Sequence, residues 1–116
     1  MLTINLTNKI ALVTGASGEL GSVIARTLAQ CGADVVLHYC SSREKAERAA
    51  QAVRDAGRRA FVVQCDVTDF ADVQRMQKLV AEQFGTVDLL VANAVIQYEW
   101  KSILEQPLED FQSQFD

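Results

Sequence analysis

Histidine, proline and cysteine are scarce in this sequence, and the scarcity of histidine and cysteine excludes several types of site. The single histidine, His38, cannot form a multi-histidine metal site, and it stands at the end of a predicted strand, where a Ser-His-Asp triad is not expected. Cys31, Cys40 and Cys65 are odd in number and form no CxxC pair, so neither a disulfide framework nor a zinc site is predicted. We therefore expect reduced thiols and no metal.

Positive charge and long apolar runs are also lacking. The 15 acidic residues outnumber the 11 basic ones, the formal net charge is −4, and no basic stripe could follow a phosphate backbone, so nucleic acid is not an expected partner. The longest apolar runs are too short to cross a bilayer, and the N-terminus lacks a basic region followed by an apolar signal core. We expect a cytoplasmic protein that does not bind membranes, folded as one domain over residues 1–116.

A repeated unit runs along most of the chain. In it, a short run of β-branched and apolar residues is followed by a turn, an amphipathic helix and a glycine that ends the helix. Right-handed crossovers in such a repeat predict a parallel sheet with strand order 3-2-1-4, half of a doubly wound, Rossmann-like α/β fold. Thr68 or Asp69 is the predicted N-cap of the third helix. The predicted strands lie at residues 10–14, 35–39, 60–65 and 87–93.

The end of the chain departs from this repeat. Residues 94–106 are predicted to form an irregular loop, and Pro107 occupies a favoured first position of a final helix. Tyr98 and Trp100 in that loop could line a substrate entrance or pack the loop onto the final helix. The sequence leaves both interpretations open.

Residues 14–21, with the sequence TGASGELG, form a glycine-rich turn between the first strand and the first helix. Gly15 permits the sharp turn, Gly18 lets a diphosphate approach the backbone, and Gly21 lets the helix pack close to the strand. Backbone N–H groups and the positive end of the helix dipole would then face the anion. The residues predicted to bind the pyrophosphate of a dinucleotide are Gly15, Ser17, Gly18, Glu19, Leu20 and Gly21.

Three motifs together resemble the short-chain dehydrogenases/reductases over nearly the whole chain. Residues 14–21 resemble the family's TGxxxGxG element, Asp66-Val67 resembles its adenine-binding aspartate after the third strand, and the run 91–94, VANA, resembles its NNAG element. The resemblance implies that Asp66 and Val67 meet the adenine. It also implies that Asn93 and Ala94 support the nicotinamide ribose.

Glu19 and Val95 depart from the family's main branch, which has glycine at both positions. By glycine spacing alone, Gly15, Gly18 and Gly21 fit the TGxxGxxG form of the extended branch. A carboxylate at Glu19 would repel a pyrophosphate unless its side chain points outward. Val95 would crowd the ribose region.

The end of the second strand determines the choice of cofactor in this type of fold. An acidic residue there would bond the adenosine ribose and exclude a 2′-phosphate, but this sequence has none. Similar Leu-His-Tyr runs followed by serine occur in pteridine reductases and in 3-oxoacyl-carrier-protein reductases, which use NADPH. We therefore favour NADP(H) over NAD. The donors predicted to face the cofactor here are His38, Tyr39, Ser41 and Ser42.

The family's catalytic serine, tyrosine and lysine have no counterpart in these 116 residues. The resemblance places them on a fifth strand and helix that would follow Asp116, and the fourth strand would then keep an exposed apolar edge suited to a homo-oligomer. The leading hypothesis is the cofactor-binding half of an NADPH-dependent reductase for a ketone, with a 3-oxoacyl thioester as one candidate, inactive alone. Its alternatives are a non-enzymatic dinucleotide-binding or regulatory module, a bare interaction scaffold, and a Rossmann-like methyltransferase.

Overall fold

Strands and helices alternate along the chain in the order that the repeated unit predicts. The computed structural model describes residues 4–93. Each helix within residues 4–93 begins after a short turn from the preceding strand, and glycines at positive φ follow these three helices, at Gly32, Gly57 and Gly85. The elements are β1 (Ile10–Val13), α1 (Glu19–Gln30), β2 (Asp34–Tyr39), α2 (Arg43–Asp55), β3 (Ala60–Gln64), α3 (Phe70–Gln83) and β4 (Leu89–Val91).

The four strands form one parallel sheet in the order β3-β2-β1-β4. The register pairs Val13 of β1 with Leu37 of β2 on one side and with Val91 of β4 on the other. The predicted Rossmann-like fold and strand order are therefore confirmed. Because all strands run in the same direction, their carboxyl ends meet at one edge, where ligands bind in open α/β sheets.

Helices cover both faces of this sheet, and the two faces are packed differently. On one face, Val35 and Leu37 pack against alanine-rich surfaces of α1 and α2, including Ala25 and Ala49. Small side chains let these two helices lie close to the strands. On the other face α3 supplies larger side chains, and that cluster consists of Leu12, Val36, Val63, Cys65, Met76 and Val80.

Three strands are shorter than the sequence predicts. β4 comprises Leu89–Val91 instead of residues 87–93, and beyond its carboxyl end the Asn93 N–H is donated to the Thr14 hydroxyl at 2.8 Å. β1 ends at Val13, since the chain turns at once into the glycine-rich segment, and β3 ends at Gln64. Asp69 is the N-cap of α3, and its carboxylate accepts the N–H groups of Ala71 and Asp72.

No helix within residues 4–93 combines the length and the apolar composition that a membrane span requires. The predictions for Ala94, Val95, Tyr98, Trp100 and the helix after Pro107 lie outside the described residues.

Candidate functional site

A cleft of about 500 Å³ opens at the carboxyl edge of the sheet. It is bordered by the turn between β1 and α1, the end of β2, the loop between β3 and α3, and the end of β4. The structure therefore brings together segments that lie up to 78 residues apart in the sequence. The lining residues are Gly15, Ser17, Gly18, Glu19, Leu20, Gly21, His38, Cys40, Ser41, Asp66, Val67, Thr68 and Asn93.

Two positions of the glycine-rich turn suit glycine, Gly15 for its backbone conformation and Gly21 for its close contacts. Gly15 has φ 67°, in the left-handed region. A Cβ on Gly21 would overlap the Gly15 carbonyl oxygen and lie 2.8 Å from Asn93 Nδ2 and 2.9 Å from Ala16 Cα. The sharp turn at Gly15 and the close packing at Gly21 are thus as the sequence predicts.

The first turn of α1 faces the cleft without a side-chain cap. Gly18 is the N-cap residue, and no side chain among residues 4–93 accepts the N–H groups that begin this helix. These donors and the positive end of the helix dipole make a suitable place for an anion. Exposed Glu19, in the same turn, brings one negative charge to that place.

Asn93 ties the end of β4 to the glycine-rich turn. Its Nδ2 donates to the Gly15 carbonyl oxygen at 3.3 Å, and its backbone N–H is donated to the Thr14 hydroxyl. The Thr14 N–H in turn donates to the Val91 carbonyl oxygen at 3.1 Å. Asn93 therefore bonds to the turn itself, through both its side-chain amide and its backbone N–H.

The loop between β3 and α3 is held by two carboxylates. Asp66 Oδ1 accepts the Thr68 hydroxyl at 2.6 Å and the Thr68 N–H at 3.0 Å, which together lower the pKa of Asp66. Asp72 accepts the Arg75 Nε–H and the Asp66 N–H, each at 2.7 Å. Both bonds lower the pKa of Asp72, and the bond from Arg75 has the larger effect. Burial, with a contribution from the Asp72 carboxylate, raises the pKa of the Cys65 thiol to about 11.

These lowered pKa values predict a loss of stability in acid. A carboxylate whose folded pKa lies below its unfolded value of 3.8 stabilises the fold fully above that value, and the stabilisation is lost as the pH falls through the folded pKa. We expect the urea midpoint to fall from about pH 4 downward in the wild-type chain and to fall less steeply in Asp72→Asn. Glu82→Gln, on the exposed side of α3, is the control. Equal acid slopes for all three chains would refute this role of Asp72.

The end of β2 differs from its prediction. The His38 side chain is buried, its Nδ1 accepts the Gly15 N–H at 3.1 Å, and its Nε2 lies 2.7 Å from the Cys65 carbonyl oxygen. The expectation that this imidazole donates to a phosphate is therefore corrected, because both ring nitrogens already have partners. Tyr39 is also buried, and neither it nor Ser42, the N-cap residue of α2, is among the lining residues; Ser41 is among them.

The prediction from sequence did not include two residues of the cleft, Cys40 and Thr68. Thr68 follows Asp66 by two positions, which is the spacing of a turn closed by an aspartate side chain, so that signal was available.

A second cleft, of about 410 Å³, adjoins the first at Ser17, Gly18 and Glu19. Between α1 and α2 it is lined by Arg26, Lys45 and Arg48. In the sequence these cationic residues resemble those of any solvent-exposed helix face, so the sequence did not identify them as cleft residues.

Fold and cleft together define a nucleotide-binding α/β protein, and comparison with known sequences gives the family. Residues 9–116 match the family model of short chain dehydrogenases. The chain belongs to this family and corresponds to the N-terminal half of its fold.

Curated relatives fall into two length classes. An uncharacterized oxidoreductase of Methylorubrum extorquens is 39% identical over 96% of this chain, which covers 44% of that relative. The 3-oxoacyl-[acyl-carrier-protein] reductase FabG of Staphylococcus epidermidis is 38% identical over 88% of this chain, which covers 46% of it. The chain thus spans about half the length of these relatives. The short-chain dehydrogenase/reductase homolog YusS of Bacillus subtilis is 42% identical over 79% of this chain, which covers 84% of YusS.

Solved structures give the same family with both nicotinamide cofactors. A short chain dehydrogenase of Burkholderia cenocepacia in complex with NADP superposes with a TM-score of 0.82 and 39% identity, covering 96% of this chain and 45% of that one. Carveol dehydrogenase of Mycobacterium avium in complex with NAD superposes with a TM-score of 0.82 and 28% identity, covering 97% and 44%. The solved structures that resemble this chain therefore include complexes with either cofactor.

Proposed function

We propose that this chain is the NADP(H)-binding half of a short-chain reductase that transfers hydride to a ketone. The observation that carries the proposal is the uncapped first turn of α1, which opens into the 500 Å³ cleft beside a turn that Gly15 and Gly21 hold closed. Among residues 4–93, apart from its chain neighbours, a Cβ on Gly18 would have only the Gly15 carbonyl oxygen within 4 Å, so the backbone there is open to a ligand. These features fit a dinucleotide pyrophosphate.

The remaining lining residues take the other parts of the dinucleotide. Asp66 and Val67 are assigned to the adenine, since the second carboxylate oxygen of Asp66 accepts no hydrogen bond from residues 4–93. Asn93 and Ala94 are assigned to the nicotinamide ribose, by the family's motif. The bound nicotinamide would supply the hydride, while the residues of this chain bind and orient the cofactor.

Two local features favour NADP(H) over NAD. The end of β2 presents Cys40 and Ser41 to the cleft, and no carboxylate that would reject a 2′-phosphate. The adjoining cleft adds the cationic side chains of Arg26, Lys45 and Arg48 on the far side of Gly18. A phosphate placed near Ser17 and Gly18 would lie between these two groups of residues.

This cofactor preference predicts a difference between two titrations. We expect isothermal titration of the 116-residue chain to give a Kd for NADPH at least about tenfold lower than for NADH, because charge-assisted hydrogen bonds to a phosphate are worth about 1.5 kcal/mol or more. A lower Kd for NADH would contradict the cofactor preference. No heat with either dinucleotide would instead support a bare scaffold and reject the proposal.

The proposal of a ketone substrate rests on membership of the family and on the similarity to 3-oxoacyl reductases. The serine, tyrosine and lysine of the family's catalytic set are not among these 116 residues, so we expect the chain alone to leave 3-oxoacyl thioesters unreduced. NADPH oxidation by the purified chain would overturn that expectation. The absorbance of NADPH at its reduced-nicotinamide band is the measurement.

A second candidate is a non-enzymatic dinucleotide-binding or regulatory module. Two observations favour it, the exposed carboxylate of Glu19 in the anion-facing turn and the comparable length of YusS. A downstream serine and YxxxK element in the gene would support the reductase. A stop codon directly after Asp116 would support the module.

The carboxylate of Glu19 lowers the expected affinity for a pyrophosphate. We expect Glu19→Gln to decrease the Kd for NADPH about fivefold at low salt, because a unit charge about 4 Å away contributes about 1 kcal/mol in water. The gain should shrink as the salt concentration rises. Glu82→Gln, which also removes one negative charge but from α3, is the control. An equal change in both variants would show that net charge alone is responsible.

The homo-oligomer and the cytoplasmic location stay predictions. Leu90 is 64% exposed on β4, whose outer edge pairs with no other strand within residues 4–93. That exposure supports association through this edge. Sedimentation velocity of the chain at several concentrations measures it directly.

A further inference from the structure

The structure contains a buried polar side chain beneath the candidate site, and its role is not explained by ligand contact. His38 is 1% exposed and stands on the central strand β2, between Leu37 and Tyr39, which are also buried. An imidazole buried without hydrogen-bond partners would destabilise the fold. Its two ring nitrogens therefore need partners, and the structure supplies both from backbone.

The identity of these partners fixes the state of the ring. The Gly15 N–H can only donate, so Nδ1 accepts it at 3.1 Å. The Cys65 carbonyl oxygen can only accept, so Nε2 carries the hydrogen and donates it at 2.7 Å. The ring is thus the neutral tautomer with hydrogen on Nε2, and it joins the glycine-rich turn to the end of β3.

Backbone bonds on either side reinforce this bridge. The Ala16 N–H donates to the His38 carbonyl oxygen at 2.8 Å, and the Cys65 N–H donates to the Tyr39 carbonyl oxygen at 3.0 Å. Three segments that border the cleft are therefore held together around one imidazole. Asn93 holds the opposite side of the same turn through the Gly15 carbonyl oxygen.

We propose that His38 is a positioning residue for the dinucleotide site. By accepting the Gly15 N–H, its Nδ1 holds Gly15 in the left-handed conformation and so orients the first turn of α1 toward the cleft. His38 does not itself contact the phosphate. This inference deepens the proposed function and rests on it for its effect on affinity.

Two substitutions separate the two bonds of the ring. In His38→Asn the amide oxygen can take the place of Nδ1 and accept the Gly15 N–H, whereas the bond to Cys65 is lost. In His38→Gln the longer amide reaches the position of Nε2 and can donate to Cys65, whereas the Gly15 N–H is left without its acceptor. Both variants lose one buried hydrogen bond, so both are expected to lower the Tm.

Dinucleotide affinity should follow only the bond to Gly15. We expect the Kd for NADPH to rise about fivefold in His38→Gln and to stay within about twofold of wild type in His38→Asn. Equal affinities in the two variants, at similar Tm, would overturn the proposal. A role in stability alone predicts that outcome.

A measurement without ligand distinguishes failure of this inference from failure of the proposed function. In ¹H–¹⁵N spectra of the free chains, the Gly15 amide resonance should move in His38→Gln and stay close to its wild-type position in His38→Asn. The imidazole ¹⁵N shifts of the wild-type chain should report hydrogen on Nε2, and they can be measured even if a variant does not fold. Hydrogen on Nδ1 would overturn the inference, whereas absence of NADPH binding with the expected spectra would reject only the proposed function.

Discussion

Gly21→Ala is expected to destabilise the fold by about 3 kcal/mol or more and to abolish dinucleotide binding. The added methyl group would overlap the Gly15 carbonyl oxygen and press on Asn93 Nδ2 and Ala16 Cα, and two of these three neighbours are backbone atoms that cannot rotate away. Overpacking of this kind forces backbone shifts. For a domain of this size the Tm should fall by at least about 12 °C, as measured by circular dichroism.

Gly18→Ala is the matched control for this prediction. Within the described part of the chain, a Cβ at Gly18 would meet only the Gly15 carbonyl oxygen, at the ordinary distance of 3.6 Å, and its φ of −80° suits any residue. We expect its free energy of unfolding to stay within about 1 kcal/mol of wild type, while NADPH binding weakens because the methyl group stands where the diphosphate approaches. Similar loss of stability in the two variants would show that the turn is not packed as described.

Replacing the adenine of NADPH by hypoxanthine is expected to raise the Kd about 10- to 100-fold. The proposed site offers to the exocyclic amine of adenine the Asp66 carboxylate oxygen that accepts no hydrogen bond from residues 4–93, and hypoxanthine has a carbonyl oxygen there instead. A site that accepts a hydrogen bond from a ligand rejects the analogue that lacks the donor. Competition between the two reduced dinucleotides in one titration measures the ratio of their Kd values.

Asp66→Asn tests whether this carboxylate makes the discrimination. Its amide nitrogen can donate to the hypoxanthine carbonyl oxygen, so the preference for adenine should shrink or reverse in this variant. Asp72→Asn, whose side chain holds the same loop from the opposite side, should keep the preference for adenine even if both affinities fall. A wild-type chain that binds both dinucleotides equally would reject the assignment of Asp66 to the adenine.

Most of the fold could be predicted because it depends on local signals. Glycines 32, 57 and 85 end the three helices, and the continuous apolar runs of β1 and β2 are typical of strands covered on both faces. The strand order then follows from the handedness of the crossovers. Glycine spacing also predicted which turn lies at the carboxyl edge of the sheet.

The remaining differences come from contacts between segments distant in sequence. Nothing in the sequence distinguishes a His38 side chain that donates to a phosphate from one that is buried and accepts a hydrogen bond from the backbone. Its role depends on Gly15 and Cys65, each more than 20 positions away. The carboxyl end of β4 likewise depends on the Thr14 hydroxyl, which accepts the Asn93 N–H in place of a strand partner. Tertiary hydrogen bonds of this kind cannot be inferred from periodicity.

The glycine-rich turn is already fixed on both sides in the structure, by His38 at the Gly15 N–H and by Asn93 at the Gly15 carbonyl oxygen. Its conformational entropy is therefore lost during folding and not during association with a ligand. A preorganised backbone of this kind should take up a dinucleotide with little rearrangement, so that changes in affinity among variants that keep the turn intact would appear mainly in the dissociation rate.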